Sequence, residues 1–519
     1  MRVRTFTLNS RKEIISKITR EVLSLFKVKV IGRRGGYDYE QLSVINRRLP
    51  IDDDRAGSAQ NGGLVRMETT MMLFAPDGRC QSFCRVSEGR DDERERAAVN
   101  RTIKRNLYDI FVEELGMPCA PWGILHGVRP TKIVHRWISY GFDEEGIVRR
   151  LMTDFACSEQ KARIITPMAF RQLPFLRTSN EKTISIYVGI PFCLTRCLYC
   201  SFPSNLLPGE KTLDAFMEVL GRDLRAAKDA VDTYGFTVQN IYIGGGTPTA
   251  LPDRYFADMM QMVYHAFYGP QITEFTVEAG RPDSISPAKI RTMAEHHVTR
   301  VSVNPQTMQQ KTLKIIGRQH TPDDVVDMYR KLREAGIPEI NMDLILGLPG
   351  ETADDVRDTM KKVTALAPDD ITLHALALKR GSRLRLIMEE RHVDLPGDEE
   401  TRKMSEIAMS FIKKNGYEPY YLYRQGYMAG DLENIGCCRK GAEGMYNIQI
   451  MEEHQTILGI GGSATTKVVD FARKRMKSSF NAKDLATYLR DADIYIEKRR
   501  QLLEEAYGNH EKQGEMNEC

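Results

Sequence analysis

Three cysteines have the type and spacing to do chemistry. Cys193, Cys197 and Cys200 fall within eight residues, in the run Pro191-Phe-Cys-Leu-Thr-Arg-Cys-Leu-Tyr-Cys200 of this 519-residue chain. Thiolates ligate zinc and iron-sulfur clusters. Structural zinc takes four protein ligands, normally from paired Cys-x-x-Cys knuckles, and this loop supplies three in the order Cys-x-x-x-Cys-x-x-Cys. A [4Fe-4S] cube held by three cysteines leaves one iron open to a small molecule, an arrangement suited to chemistry. The competing readings are a zinc site completed by Cys437 or Cys438, and three unrelated buried thiols. Ten cysteines in a reducing compartment do not make a disulfide framework.

Four more polar residues stand where such a centre would need them. The run Ile243-Gly244-Gly245-Gly246-Thr247-Pro248-Thr249 lets backbone come close to a ligand. Glu278, Gln306, Arg318 and Asp343 then follow at or near the ends of successive strand-like runs. Each alone is an ordinary strand-end residue, but their shared placement points to one ligand-binding face.

The elements that position them come from the apolar pattern. Ile184–Ile190, Val238–Ile243, Phe275–Val277, Arg300–Val303, Ile340–Leu346 and Ile371–Leu376 read as short buried strands, with helices such as Leu213–Val231 and Asp323–Ala335 between them. Six βα units predict a parallel sheet curled into a partial barrel, with its ligands at the C-terminal ends of the strands. The cysteine loop follows the first strand directly.

Around this core the spacing predicts residues 1–175 as an N-terminal α/β accessory domain, 176–385 as the barrel, 386–496 as a mostly helical C-terminal substrate or lid domain, and 497–519 as a charged, frayed tail. Ser10-Arg-Lys-Glu13 reads as a capping box opening a helix through Phe26. Met67–Phe74 and Cys80–Val86 read as a hairpin about Pro76-Asp-Gly78, with Cys80 and Cys84 as packing residues. Arg90–Arg105 reads as a solvated helix face, Pro118–Ile133 as an ordered elbow, Glu399–Lys414 as a helix, and Cys437-Cys438 as buried thiols. With 74 basic and 70 acidic residues, the net charge of +4 carries no nucleic-acid footprint. No apolar run approaches a membrane span, and the N-terminus lacks a secretory pattern, so a cytoplasmic protein is expected.

The cysteine loop placed after a first barrel strand resembles the radical S-adenosylmethionine superfamily. Tyr187-Val-Gly-Ile-Pro-Phe-Cys193, the glycine run, Val303-Asn-Pro-Gln306 and Asp343-Leu-Ile-Leu-Gly-Leu-Pro are similar to the oxygen-independent coproporphyrinogen III oxidase family. Pro121–Lys132, Val301–Met308 and Tyr420–Gly430 resemble its HemZ-type coproporphyrinogen dehydrogenases. The resemblance implies a partial (β/α)6 barrel and a [4Fe-4S] cluster on Cys193, Cys197 and Cys200. It also implies one or two S-adenosylmethionine molecules contacted by Tyr187, Tyr199, Gly245, Gly246, Thr247, Glu278, Gln306, Arg318, Asp343 and Ala377. Of these, Tyr187, Glu278 and Gln306 are carried over as the catalytic candidates. Asp343 and Gln306 can bond ribose hydroxyls, and Arg318 can pair with the cofactor's carboxylate.

The implied reaction is anaerobic haem biosynthesis. Propionates of coproporphyrinogen III become vinyls, giving protoporphyrinogen IX, with electrons from a low-potential donor such as flavodoxin or ferredoxin. Four propionates require cations and a broad apolar wall, and Lys379, Arg380, Arg383, Arg385, Arg424 and the tyrosines 420, 421, 423 and 427 are the candidates. Two positions depart from the proven oxidases, which carry Cys where this chain has Phe202 and His where it has Gly189. Phe202 is shared with the HemW-like branch, so a haem chaperone is the first alternative and an anaerobic haem-degrading radical methyltransferase the second. Gly444-Met-Tyr446-Asn447 lacks the Trp of the chaperone motif.

Overall fold

The computed structural model describes residues 5–8, 13–26, 28–31, 39–51, 63–91, 95–125, 127–200, 202–377, 383–391, 393–425, 430, 432–471 and 475–508. The chain divides into two compact units, residues 1–170 and 171–519.

The first unit is a five-stranded sheet in the order Lys29–Ile31, Thr5–Leu8, Glu40–Leu49, Gly63–Phe74, Cys80–Asp91, with helices at Glu13–Leu25 and Glu95–Asp109. The expected hairpin is its longest feature. Gly78, at φ 86°, closes the turn with its amide donating to the Ala75 carbonyl at 3.0 Å. Three expectations change here. The hairpin strand runs on through Asp91, so the charged helix begins only at Glu95, and it buries Ala98, Ile103, Asn106 and Leu107 rather than presenting a solvated face alone. Cys80 and Cys84 are exposed, because their face of the strand looks outward. The elbow is packed: Trp122 is buried, and Thr131 already starts the helix Thr131–Ser139. Ser10, the expected helix cap, lies outside the described residues.

The second unit is built on one eleven-stranded sheet. Its parallel centre is β1 (Thr183–Ile190), β2 (Thr237–Gly245), β3 (Glu274–Glu278), β4 (Arg300–Gln306), β5 (Glu339–Leu346) and β6 (Asp370–Ala375). These pair in sequential order, each strand beside the one before it. The segment after Arg385 adds five more strands, β7 (Glu418–Tyr423), β8 (Asn434–Cys438), β9 (Thr456–Gly461), β10 (Thr465–Asp470) and β11 (Arg475–Phe480), giving the order β7-β8-β6-β5-β4-β3-β2-β1-β9-β10-β11. The C-terminal stretch therefore extends the sheet at both edges besides supplying the helices Asp398–Lys414, Met445–Glu452 and Leu485–Tyr507. The run through Ile457–Thr466 is strand β9 and the start of β10.

The last helix is docked to Tyr507 rather than frayed from Glu497. Arg499, 3 % exposed, pairs with Asp223 at 2.7 Å and donates to the Gly459 carbonyl at 2.9 Å. Tyr488 Oη donates to Asp223 at 2.9 Å. Among the described residues no helix is long and apolar enough to cross a membrane.

The inner face of the barrel is polar. Ser185 and Tyr187, Asn240 and Tyr242, Thr276 and Glu278, Ser302 and Asn304, Asn341 and Asp343, and Thr372 and His374 stand two apart on their strands and so share a face. Asn341 Nδ2 donates to Ser302 Oγ at 3.2 Å, and Thr372 Oγ1 donates to Asn341 Oδ1 at 3.2 Å, so this layer is bonded from strand to strand, with Asn240 Oδ1 left unpaired. At the N-terminal ends of the strands lies a buried charge cluster. Arg300 meets Asp370 at 3.0 Å and Glu339 at 2.5 Å, and Tyr420 Oη donates to Asp370 at 2.6 Å. Tyr420 is thereby at the end of the barrel opposite the cysteine loop and cannot cover a macrocycle there. Cys437 and Cys438 are buried on β8, where burial pushes both thiols up.

Candidate functional site

The cysteine loop is held on three sides. Phe192–Cys193 pairs with Asn205–Leu206. The Leu198 amide donates to the Ile316 carbonyl at 3.2 Å, and the Leu384 amide to the Leu198 carbonyl at 3.0 Å. Arg281 Nη1 donates to the Thr195 carbonyl at 2.9 Å and reaches Cys197 Sγ at 4.0 Å, while Asp283 neutralises its other edge at 2.7 Å. Thr247 Oγ1 lies 3.6 Å from Cys193 Sγ. The three thiols are half-buried, and burial pushes Cys200 up, with Cys197 and Cys193 adding to the effect. Among the described residues no three His, Cys, Asp or Glu groups converge on a single ion.

The glycine run is tight for a physical reason. A Cβ on Gly246 would stand 2.5 Å from the Phe192 carbonyl, and one on Gly244 would stand 2.8 Å from Glu278 Cδ. Gly245 has φ 112°. Backbone here passes directly beside the cysteine strand, so only glycine fits. Lys289 Nζ pins the run's far end, donating to the Thr249 carbonyl at 2.7 Å.

The strand-end residues do come together. Gly245 N–H donates to Glu278 Oε2 at 3.2 Å and Tyr242 Oη donates to Oε1 at 2.6 Å. Burial lifts the Glu278 carboxyl to about 7; the Tyr242 hydrogen bond opposes that rise and Asp343 adds to it. Asp343 accepts from Asn341 Nδ2 at 2.8 Å and faces His374 Nε2 at 3.7 Å. Burial works to raise it, but His374 and the amide hold it below the usual carboxylate range. His374 is raised, the pull of Asp343 outweighing its burial, and its Nδ1 lies 3.2 Å from Asn434 Oδ1.

Gln306 follows a bulge in β4 and takes the left-handed conformation, φ 66°, which costs a non-glycine residue energy and recurs at functional sites. Its Oε1 is buried without a hydrogen-bond partner, and so is Arg318 Nε. The rest of the Arg318 guanidinium donates to the Gly280 carbonyl at 2.9 Å, the Asn304 carbonyl at 3.0 Å and Tyr199 Oη at 3.1 Å. Orphaned buried polar atoms require explanation, and a ligand among them is one. Thr247 is buried beside the loop, and Ala377 follows β6, half-buried.

Tyr187 on β1 lies against residues the sequence reading missed. Its ring stacks with Tyr242 at 6.0 Å and with Tyr446, from the C-terminal segment, at 6.4 Å, and Tyr242 stacks on Tyr446 at 4.4 Å. Tyr242, Tyr446, His374 and Asn434 all belong to the site's walls. The period-two polar pattern of the strands is the signal that reveals Tyr242 and His374. Nothing local marks Tyr446 or Asn434.

The expected substrate groups are scattered. Arg383 is exposed at the start of the helix Arg383–Arg391. Arg424 and Tyr423 are half-buried just after and at the end of β7, while Tyr421 is buried with its hydroxyl 3.3 Å from Thr372 Oγ1. Lys379, Arg380 and Tyr427 lie outside the described residues, as does the side chain of Arg385. Gly189 is pressed against a neighbouring segment: a Cβ there would stand 2.6 Å from the Gly462 carbonyl.

A three-cysteine loop after the first strand of a parallel six-strand partial barrel, facing polar strand ends, defines a radical SAM protein. The family model for the radical SAM superfamily matches residues 187–363. The chain is 36% identical to HemZ of Bacillus subtilis, described as an oxygen-independent coproporphyrinogen-III oxidase-like protein, over 80% of this chain and 83% of that one. It is also 29% identical to the haem chaperone HemW of Lactococcus lactis, over 64% of this chain and 83% of that one. The solved structure of coproporphyrinogen III oxidase (HemN) from Escherichia coli shares the fold at a TM-score of 0.51 and 22% identity, covering 63% of this chain and 72% of that one. The chain belongs to the oxygen-independent coproporphyrinogen-III oxidase-like family of radical SAM proteins.

This superfamily uses a [4Fe-4S] cluster and S-adenosylmethionine. The residues present fit both groups. Three thiols on one loop suit the cube, the glycine cradle admits a ligand beside it, and the unpaired buried atoms of Gln306 and Arg318 offer an acceptor and a donor.

Proposed function

We propose that the chain oxidatively decarboxylates propionates of coproporphyrinogen III to vinyls without oxygen, forming protoporphyrinogen IX. The observation that carries this reading is identity to an oxidase-like relative across four-fifths of the chain, joined to a site with cofactor-binding groups on one barrel face. In this reading Cys193, Cys197 and Cys200 hold the cluster, Arg318 faces the cofactor's carboxylate, Glu278 its cationic end, and Gln306 and Asp343 its ribose. Tyr187 and Tyr199 wall the pocket, with Gly245, Gly246, Thr247 and Ala377 lining it. Bound together, cluster and cofactor supply a carbon radical able to remove a hydrogen from a propionate. The chain's own task is to exclude water and hold the tetrapyrrole's carboxylates, for which Arg383 and Arg424 are the described cations. A low-potential protein such as flavodoxin or ferredoxin supplies the electron.

Phe202 favours a second reading, a haem chaperone, while Gly189 departs from the oxidases. The Gly462 carbonyl occupies the space a His at 189 would need, and Phe202 is 67% exposed. The test is anaerobic incubation of iron-reconstituted protein with coproporphyrinogen III, S-adenosylmethionine and a low-potential reductant, read by porphyrin mass. Stepwise loss of two carboxyl groups, absent in Cys197→Ala, supports the oxidase. A gain of methyl mass instead indicates a methyltransferase. Cofactor cleavage with unchanged porphyrin mass, together with stoichiometric haem binding, supports the chaperone.

A further inference from the structure

We propose that Tyr242 is a positioning residue for cofactor binding: it holds the Glu278 carboxylate ready for the cation of S-adenosylmethionine and is itself locked by Tyr446 from the C-terminal segment. The proposal rests on the reading of Glu278 as a cofactor contact. It goes beyond that reading in assigning work to two residues outside the cysteine and glycine motifs.

The geometry points to Tyr242 for three reasons. First, Glu278 makes two hydrogen bonds, one to each oxygen, from Gly245 N–H and from Tyr242 Oη, and the second is the shorter at 2.6 Å. The two together fix the plane of the carboxylate against the glycine run. Second, the register pairs Tyr187 with Tyr242 side by side on adjacent strands at 6.0 Å, and Tyr446 closes over both, at 4.4 Å from Tyr242 and 6.4 Å from Tyr187. A tyrosine held this way loses little rotamer freedom in making its hydrogen bond. Third, a Cβ on Gly244 would stand 2.9 Å from both Tyr242 Cε1 and Glu278 Oε2, so the ring and the carboxylate pack directly against Gly244.

The electrostatics gives the arrangement its consequence. The groups facing Glu278 are Tyr242 from β2, Asp343 from β5, Tyr187 from β1, Tyr446 from the helix Met445–Glu452, and the Gly245 amide. Burial and Asp343 favour the neutral acid, and the two hydrogen bonds favour the anion. Glu278 therefore sits near 7, where losing one donor changes its charge under ordinary conditions. A neutral acid offers a cation little, so cofactor affinity must follow the ionisation of Glu278. The cofactor's own amine, with an ordinary value of about 7.8, sets the alkaline limit. Affinity should thus be bell-shaped in pH, with the acid limb belonging to Glu278.

The test is equilibrium binding of S-adenosylmethionine to the iron-reconstituted protein from about pH 6 to 9, without turnover. Iron content and circular dichroism of each variant serve as folding controls. Tyr242→Phe keeps the ring and the stack and removes only the hydroxyl. It should move the acid limb up by about one pH unit and weaken binding at about pH 6.5 by about tenfold, with a smaller loss at about pH 8. Tyr446→Leu should move the limb in the same direction by less, and Tyr446→Phe should leave it in place. Glu278→Gln should weaken binding at every pH and abolish the acid limb. An unshifted limb in Tyr242→Phe alongside a lost limb in Glu278→Gln overturns the proposal while leaving the Glu278 reading intact. Unchanged binding in Glu278→Gln overturns that reading itself.

Discussion

Arg318 Nη2 donates a 3.1 Å hydrogen bond to the Tyr199 hydroxyl, tying the cysteine loop to the segment that follows β4. The same guanidinium holds two backbone carbonyls, Gly280 after β3 and Asn304 within β4. One buried cation thus ties β3, β4 and the loop together, and its Nε is left without a partner.

Arg318→Lys should therefore weaken S-adenosylmethionine binding by about tenfold or more, since a point charge cannot make these contacts in one plane, and charge-assisted bonds are worth about 1.5–3 kcal/mol each. Tyr199→Phe should cost about 1 kcal/mol, roughly a fivefold loss. Both variants should keep their iron, measured by colorimetric assay. Loss of iron in Tyr199→Phe would show the hydroxyl to be needed for the loop rather than for the cofactor.

His320 is 2 % exposed and both its ring nitrogens are buried without a partner. Burial, with the nearby Arg318 and Arg281 cations, pushes it down to about 4, although Asp283 pulls the other way. The unfolded chain takes up this proton near pH 6.5, whereas the native protein refuses it until about 4. Stability should then fall as pH drops through that window, by up to about 3 kcal/mol from this group. Melting temperatures at about pH 7 and about pH 5 should converge in His320→Gln relative to the unmutated protein; equal pH sensitivity would refute the assignment.

Restoring the oxidase residue at position 189 should fail structurally. Gly189→His and even Gly189→Ala drive a Cβ into the Gly462 carbonyl, and overpacking of this kind costs about 1–3 kcal/mol. A lowered melting temperature is expected in both, with no gain of decarboxylation. Unchanged stability in Gly189→Ala would mean that β9 can move away from β1.

Truncation after Ile496 removes Arg499 and Leu503 and leaves Asp223 buried beside Tyr488 without its cation. Breaking such a pair costs about 3–5 kcal/mol. The shortened chain should unfold at clearly lower denaturant concentration, and Arg499→Met should show much of the same loss.

The cysteine loop, the glycine run and all six parallel strands could be read from residues alone because their information is local. Cys193, Cys197 and Cys200 share one loop, and a buried strand declares itself within a few apolar residues. Glu278, Gln306 and Asp343 were legible on their strands for the same reason, whereas Arg318, read as another strand-end group, follows the helix Gln310–Ile315. The C-terminal part was read less well. Its strands β7 to β11 join the sheet edges, and an edge position depends on which surface is still unpaired after the barrel has formed. Tyr420 shows the limit: it looked like a wall of the site, yet β8 runs antiparallel to β6 and β7 antiparallel to β8, so the register carries Tyr420 to Asp370 at the far end. Strand direction leaves no trace in spacing. Tyr446 and Asn434 are the converse, joining Tyr242 and His374 across long stretches of sequence only when the sheet closes. The sequence by itself determined which chemistry this protein can hold. Tertiary structure alone decided which side chains orient it, because hydrogen bonds and ring stacks between distant strands exist only once the sheet brings them within reach.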